Sequence, residues 1–493
     1  MKIFFNKYLS WLIFFVWGLL AAITGIQLNK VLAYHCFFLN NWPFCSASIS
    51  TIDQVVQIGL LIGVITFFAW FSYQLYHQFF LKITTIDWSL VVWPSLIAAV
   101  LILPFGSSDF QYYFGLGQAV HDGVNPYTSS FLVQHPFLFV EPGIDYSFAL
   151  TTMYGPIVVS LLAFIVQFSF DSLILFTVYW KFLMLGVFLF IGLWFKNKFF
   201  NHKLSLFFWP FWLLQPLILW EWLANGHFDG LWLIFVLWAV ILAKRGLWWA
   251  VVIVLTIALW IKLVPILFLP WFCLWWWQGL NKNNWLKQCS LMMVGLLVGG
   301  LVSVLVWLPY WQGFKVFQPL ILQSKWVVNS LFGFIYYGLE PVAWLIWGSA
   351  AHFWLTRLVH GLLFLISLYF LWPYAKKVWL LIIKKITWQP ADYYQAMFIS
   401  LLVFISIWQK SFWPWYMIWL LPFGWLVLNE SVNGHLLKAV RWLSWSPLLF
   451  YVINLAAGGD LWNIWFFLFI VVVIIGYPLW QIYQWRKVNY VRE

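Results

Sequence analysis

Charge is scarce in this 493-residue chain: Asp, Glu, Lys and Arg make up 8% of it, and only 14 residues are acidic. A soluble domain carries about 25% charged residues and about 45–50% apolar ones, whereas 65% of this chain is hydrophobic. So few charges cannot coat a globule that must stay dispersed in water. A soluble single domain, a disordered chain and a nucleic-acid binder are all excluded. Cysteine is equally sparse, with four in the whole chain, too few for a disulfide framework and without zinc spacing. Strict apolar/polar alternation over about ten positions is also missing, which excludes an outer-membrane barrel. What is present instead are continuous apolar runs such as LLIGVITFFAWF (60–71) and FFLFIVVVIIGY (466–477). The 42 tryptophans, many at the ends of such runs, fit interfacial belts, with a few left over for sugar stacking. This is a polytopic membrane protein.

The net charge of +12 matters less than where each cation sits. Lys and Arg in short loops mark the cytoplasmic side. Lys2 and Lys7 precede a first span over 9–28 without a small-residue cleavage site, which reads as a retained anchor. The outer loop behind it holds Cys36 and Cys45, which could bond only in an oxidising exterior. A second span (55–76) returns to His77 and Lys82, and a third (88–105) opens the longest polar stretch, Gly106–Thr152. Tyr154–Phe170 and Leu173–Phe195 must share one net crossing before the inside cluster KNKFFNHK (196–203), so one of them is expected to be re-entrant or to lie along the surface. Later spans alternate around EWLANGHFDG (221–230) outside, Lys244 and Arg245 inside, Lys262 outside, and Lys282 and Lys287 inside. An outer loop over Pro309–Glu340, one net crossing to Lys376, Lys377, Lys384 and Lys385, an outer QKSFWPWY (409–416), and Lys438 and Arg441 inside complete the pattern. The expected fold is an all-α transmembrane bundle of about 14 crossings with both termini cytoplasmic. The organisation read from it is a two-span extension (1–87), a catalytic core (88–430) and a C-terminal two-span segment (431–493). Asp109, Asp122, Glu141, Asp145, Glu221, Asp229 and Lys262 all fall on the outer side, so the chemistry is expected there.

The strongest candidate segment is SSDFQYYFGLGQAVHDGVNPYTSS (107–130). Pro104 and Gly106 break the third span just before Asp109, leaving its carboxylate at the membrane surface. A carboxylate in dry surroundings gains proton affinity and suits a general base, although a plain helix-capping acid is the alternative. Lys262 interrupts two apolar runs (247–261 and 263–278). A cation so deep is usually paired or functional, and a snorkelling Lys is the bland reading. Glu221, His227 and Asp229 surround a turn on the same face, able to pair with Lys262, to position an acceptor or to cap a helix. Lys315, Lys325 and Lys410 also lie outside, suited to a lipid phosphate or to headgroups. His121 and His135 lack metal-ligand spacing.

Asp109 after an outward span, the aromatics Tyr112 and Tyr113, then GVNPY (123–127) resemble the GT-C superfamily. Its members are polytopic glycosyltransferases that take sugars from polyprenyl-phosphate carriers. MYGPIVVSLLAF (153–164), NGHFDGLW (225–232) followed by IALWIKLVPILFLP (257–270), and FWPWYMIWLLP (412–422) resemble the bacterial α-mannosyltransferase-like branch in order and sidedness. The resemblance implies a hexosyltransferase, with mannose the expected sugar, acting on an extracytoplasmic glycan or glycolipid in the cell membrane. It implies Asp109 as base, Lys262 and Lys410 toward the donor phosphate, and Tyr112, Tyr113, Asn125, Tyr127, Tyr154, Glu221, His227, Asp229, Trp415 and Tyr416 as positioning groups. The D-x-D pair of some members is absent, because Gln111 stands two residues after Asp109. No cofactor is expected, and a divalent metal stays open. A transporter or flippase of lipid-linked saccharides is the competing class. It should show repeated halves and midplane charges, neither of which is visible here.

Overall fold

The computed structural model describes residues 62–74, 89–101, 109–129, 151–199, 212–280, 284–323, 327, 330–430, 434–456 and 468–490. The first span, Cys36, Cys45, Lys82, His135, Glu141, Asp145, Lys282, Lys325 and the end of the 196–203 cluster lie outside these residues. Among the described residues the secondary structure is helical and holds no strand. Among the described residues five helical stretches are long and apolar enough to cross a membrane. The described residues fall into two compact units.

The first unit takes the described parts of Met1–Val64, Leu81–Ile266 and Gly279–Ser324. The polar stretch that follows α1 (Ser89–Leu101) holds a helix, α2 (Asp109–His121), with Asp109 in its first turn. Negative charge is favoured at a helix start. α3 (Pro156–Phe168) begins on a proline, which costs nothing where the N–H has no helical partner. It packs on α2 through Gly117, where a Cβ would lie 2.8 Å from the Leu162 carbonyl oxygen. A tight reversal at Phe170 and Asp171, with φ of 50° and 56°, leads into α4 (Leu173–Phe199). The 13 residues of α3 reach about 20 Å and the 27 of α4 about 40 Å, so α4 is the segment long enough to cross.

α5 (Gly230–Lys244) and α6 (Trp248–Ile261) form a hairpin, and α7 (Trp285–Trp307) packs on α6. Small residues set that last contact: a Cβ at Gly295 would lie 2.5 Å from the Trp249 carbonyl oxygen, and one at Gly299 2.8 Å from Thr256 Oγ1. Close backbone approach through glycine is how membrane helices gain packing where burial from water offers little. The far side of α7 is bare and apolar, with Leu297 70% exposed, as suits lipid.

The second unit takes the described parts of Ile65–Phe80, Leu267–Gln278 and Lys325–Glu493. It corrects the expected outer loop over Pro309–Glu340, because Glu340 lies inside α8 (Leu331–Trp347), which tolerates an internal Pro341. Ser330 caps it, its hydroxyl accepting from the Gly333 amide at 3.1 Å. Before Lys376, where one net crossing is expected, the chain forms a hairpin. Gly348, at φ +53°, turns the chain into α9 (Ala351–Ile382). Tyr336 then meets His352 at 2.6 Å and the Phe332 ring meets His360 at 4.9 Å, an antiparallel register. α10 (Pro390–Val403) starts on a capping box from Gln389 and Asp392 and ends in a π-helical turn, Phe404–Trp408. α11 (Leu420–Glu430) precedes α12 (Gly434–Leu443). Lys438 and Arg441, expected on the inner side, lie on α12, with Arg441 over the Tyr73 ring.

Candidate active site

Four pieces of the first unit converge around Asp109: the start of α2, the Thr152–Gly155 segment, the turn after a π-helical stretch (Leu219–Ala224), and the break after α6. The break exists because Lys262 leaves helical geometry, at φ −155° and ψ 141°, before a 3-10 turn containing Pro265. Its ammonium pairs with Asp229. Asp229 sits at the N-cap position of α5 without a capping hydrogen bond from its side chain, so of the sequence alternatives the pairing is realised. The same ammonium lies 5.6 Å from the centre of the Phe228 ring.

Asp109 is the most exposed carboxyl of the group, with 28% of its side chain exposed, and Lys262 keeps 12%. His227 and Glu221 show none, so they stand behind Asp109. Surrounding protein and the negative charge of Asp229 push the Asp109 carboxyl up to about 7. Lys262 and hydrogen bonds from Tyr113 and Tyr154 pull the other way. Burial and Lys262 hold the His227 imidazole well below its usual range, so it is neutral at physiological pH. The Tyr113 hydroxyl lies 3.4 Å from His227 Nδ1, which is 3.8 Å from Asp109 Oδ2. On its other side Nε2 faces Glu221 Oε2 at 3.5 Å, and the Asn225 amide donates to the same Glu221 oxygen at 3.1 Å. Burial keeps the Tyr112 and Tyr154 phenols neutral, Asp109 adding to the effect.

Aromatic edges build the floor. Tyr154 meets Phe228 at 4.8 Å and Tyr113 at 5.8 Å, with Tyr112 at 5.8 Å on its other flank. Edge-to-face contacts of this kind are directional and hold ring orientation. Asn125 and Tyr127 support this floor from outside it. The Asn125 amide donates to the Tyr310 carbonyl at 2.8 Å, and the Tyr127 hydroxyl to the Tyr154 carbonyl at 2.8 Å. Lys410, Trp415 and Tyr416 belong to the second unit. There the Lys410 ammonium sits 4.8 Å from the Phe332 ring centre, burial lowers its proton affinity, and Trp415 stacks on Trp413 at 5.1 Å.

Sequence reasoning missed three neighbours of this site. Lys181 donates to the carbonyls of Leu223, at 2.5 Å, and Ala224, and Trp180 donates to the Gly226 carbonyl at 2.7 Å. The available signal was a cation inside the apolar run of α4. Gly230 was missed too: a Cβ there would lie 1.9 Å from the Trp222 ring. Among the described residues no three His, Cys, Asp or Glu side chains group as metal ligands.

An all-helical membrane protein in which a carboxyl meets an ion pair at a broken helix has the parts of a membrane glycosyltransferase. Residues 18–278 match the MptA/B family model, described as alpha-(1->6)-mannopyranosyltransferase, N-terminal domain, and the chain belongs to this family of GT-C-type mannosyltransferases. The matched stretch contains Asp109, Asp229 and Lys262, while Lys410, Trp415 and Tyr416 lie beyond it. No curated protein and no solved structure matches the chain.

Proposed function

We propose that this chain moves a mannosyl residue from a polyprenyl-phosphate carrier to an extracytoplasmic glycan or glycolipid acceptor, by an α-(1→6) linkage as the family description suggests. The observation that carries the reading is the meeting of a partly open carboxyl, held near neutrality, with the Asp229–Lys262 pair. Ionised Asp109 takes the proton of the acceptor hydroxyl. That oxygen bonds to the anomeric carbon as the bond from this carbon to the phosphate oxygen breaks, and the phosphate leaves with the electron pair beside Lys262. Asp229 orients Lys262, and in the second unit Lys410 is a separate cation suited to a lipid phosphate. Tyr112, Tyr113 and Tyr154 flank the sugar. Asn125, Tyr127, Glu221 and His227 act from behind, holding those groups in place.

In this reading residues 88–430 form the catalytic core between terminal extensions 1–87 and 431–493. The chain crosses the cell membrane about 14 times, with the site outside and both termini inside. The test is transfer of radiolabel from polyprenyl-phosphate mannose, with the glucose and arabinose carriers as controls, onto extracted membrane glycans. No transfer from any carrier by folded protein sinks the reading. Sidedness is tested by Cys substituted near Asn125 in a chain lacking its native Cys. It should react with an impermeant thiol reagent on intact spheroplasts, whereas Cys near Lys244 should react only after permeabilisation.

A further inference from the structure

The turn that delivers His227 and Asp229 comes after a π-helical stretch whose last carbonyls have no helical partner ahead of them. The Asn225 amide bonds back to the Trp220 carbonyl and the His227 amide to the Glu221 carbonyl. The next carbonyls, of Leu223, Ala224 and Gly226, point at α4. Leu223 and Ala224 are fully buried, so water cannot serve them, and an unserved buried carbonyl is costly. Two consecutive residues of α4 answer this need. Lys181, 3% exposed, gives its amine to Leu223 and Ala224, and Trp180, fully buried, gives its indole N–H to Gly226. Gly226 holds φ +74°, and a Cβ there would lie 3.3 Å from the Trp180 ring, so the turn is pressed onto the residue that anchors it.

We propose that Lys181 and Trp180 form a backbone clamp that sets the position of the 225–229 turn, which makes Lys181 a positioning residue for transfer although it lies in a membrane-spanning helix. The proposal rests on the assignment of that turn to the transfer site. The clamp acts through the carbonyls on the groups that face Asp109: His227 behind it, and Asp229, which in turn holds Lys262. A shift of about 1 Å in such groups can slow a reaction about 10²-fold without weakening substrate binding.

The experiment compares the full chain in detergent with Lys181→Met, Lys181→Arg and Trp180→Phe. Hydrogen exchange is followed by mass spectrometry, and turnover is measured with polyprenyl-phosphate mannose and a synthetic mannoside acceptor. In Lys181→Met, exchange over 221–230 should quicken about fivefold or more, while 156–168 keeps its protection. Turnover should fall about 10–100-fold with acceptor KM changed less than about threefold, and Lys181→Arg should recover most of both. Trp180→Phe keeps a ring and removes one donor, so it should loosen the same turn to a smaller degree. If Lys181→Met fails to fold, Trp180→Phe decides. Unchanged exchange over 221–230, or faster exchange spread evenly over the unit, overturns the clamp. Local loosening together with full activity in Asp109→Asn keeps the clamp and removes the transfer site instead.

Discussion

Two places in the molecule use one backbone device for different chemistry. In the first unit a π-helical stretch, Leu219–Ala224, runs into the polar turn Asn225–Asp229; in the second, Phe404–Trp408 runs into Gln409–Tyr416. A π-helical turn widens the helix and leaves carbonyls for outside donors, and such turns gather at functional sites. After the first come an imidazole and an acid paired with a lysine, close to Asp109. After the second come one cation over a ring and a stack of tryptophans. A third π-helical stretch, Ile470–Gly476, continues straight into a helix and offers neither. The π-turn is therefore a way of presenting a turn, and the side chains on that turn decide its surroundings: a buried imidazole and an ion pair beside a carboxyl at the first, apolar and cationic contact at the second.

The sharpest way to break this contrast is Asp109→Asn. It keeps the shape and removes proton acceptance, so turnover should fall about 10²–10⁴-fold while the melting temperature in detergent stays near that of the parent. Near-parental turnover would leave the first turn without its chemical role.

Lys262→Met comes next. It should slow turnover and weaken donor binding, and it leaves Asp229, 1% exposed, buried without its partner, at a cost of about 3 kcal/mol. The double change Lys262→Met with Asp229→Asn should recover the melting temperature and leave turnover low. Recovery of both would make the pair merely structural.

The third test is pH. The Asp109 carboxyl is held up near 7 and must be ionised to accept a proton, so turnover should rise as pH climbs through about 7 and then level. His227 is neutral across that window and adds no second step. Asp229→Asn removes a negative neighbour, so the midpoint should move to lower pH. A midpoint unmoved or raised contradicts the assignment. The smallest effect is expected in the second turn: Lys410→Met should raise the KM for polyprenyl-phosphate mannose about threefold to tenfold and leave the pH midpoint where it was.

Much of the first turn was legible in the linear chain because rare residues carry information in an apolar one. Lys262 interrupts a run that would otherwise be continuous, Asp109 and Asp229 stand in the polar segments between such runs, and all three lie at the site. Lys181 interrupts a run as well, yet charge counting assigns cations to loops and passes over one that serves carbonyls inside a helix. The hairpin at Gly348 was hidden for another reason. Its two arms carry no charge between Glu340 and Arg357 to mark the turn, and only the positive φ of one glycine reverses the chain. The helix at Asp109 was hidden by composition, since Gly115, Gly117 and polar residues lower helix propensity. Packing of Gly117 on α3 overrides it.

Gly155 has a consequence for how far this sequence could drift. Its amide donates to the Ile261 carbonyl at 3.1 Å, and a Cβ there would lie 1.9 Å from the Trp260 carbonyl oxygen. The neighbours of that contact are Tyr154, which hydrogen-bonds Asp109, and Lys262, which begins where α6 ends. Two backbones in touch behave as one mechanical part, so Tyr154 beside Asp109 and Lys262 at the end of α6 move together or not at all. Any side chain at position 155 would drive them apart.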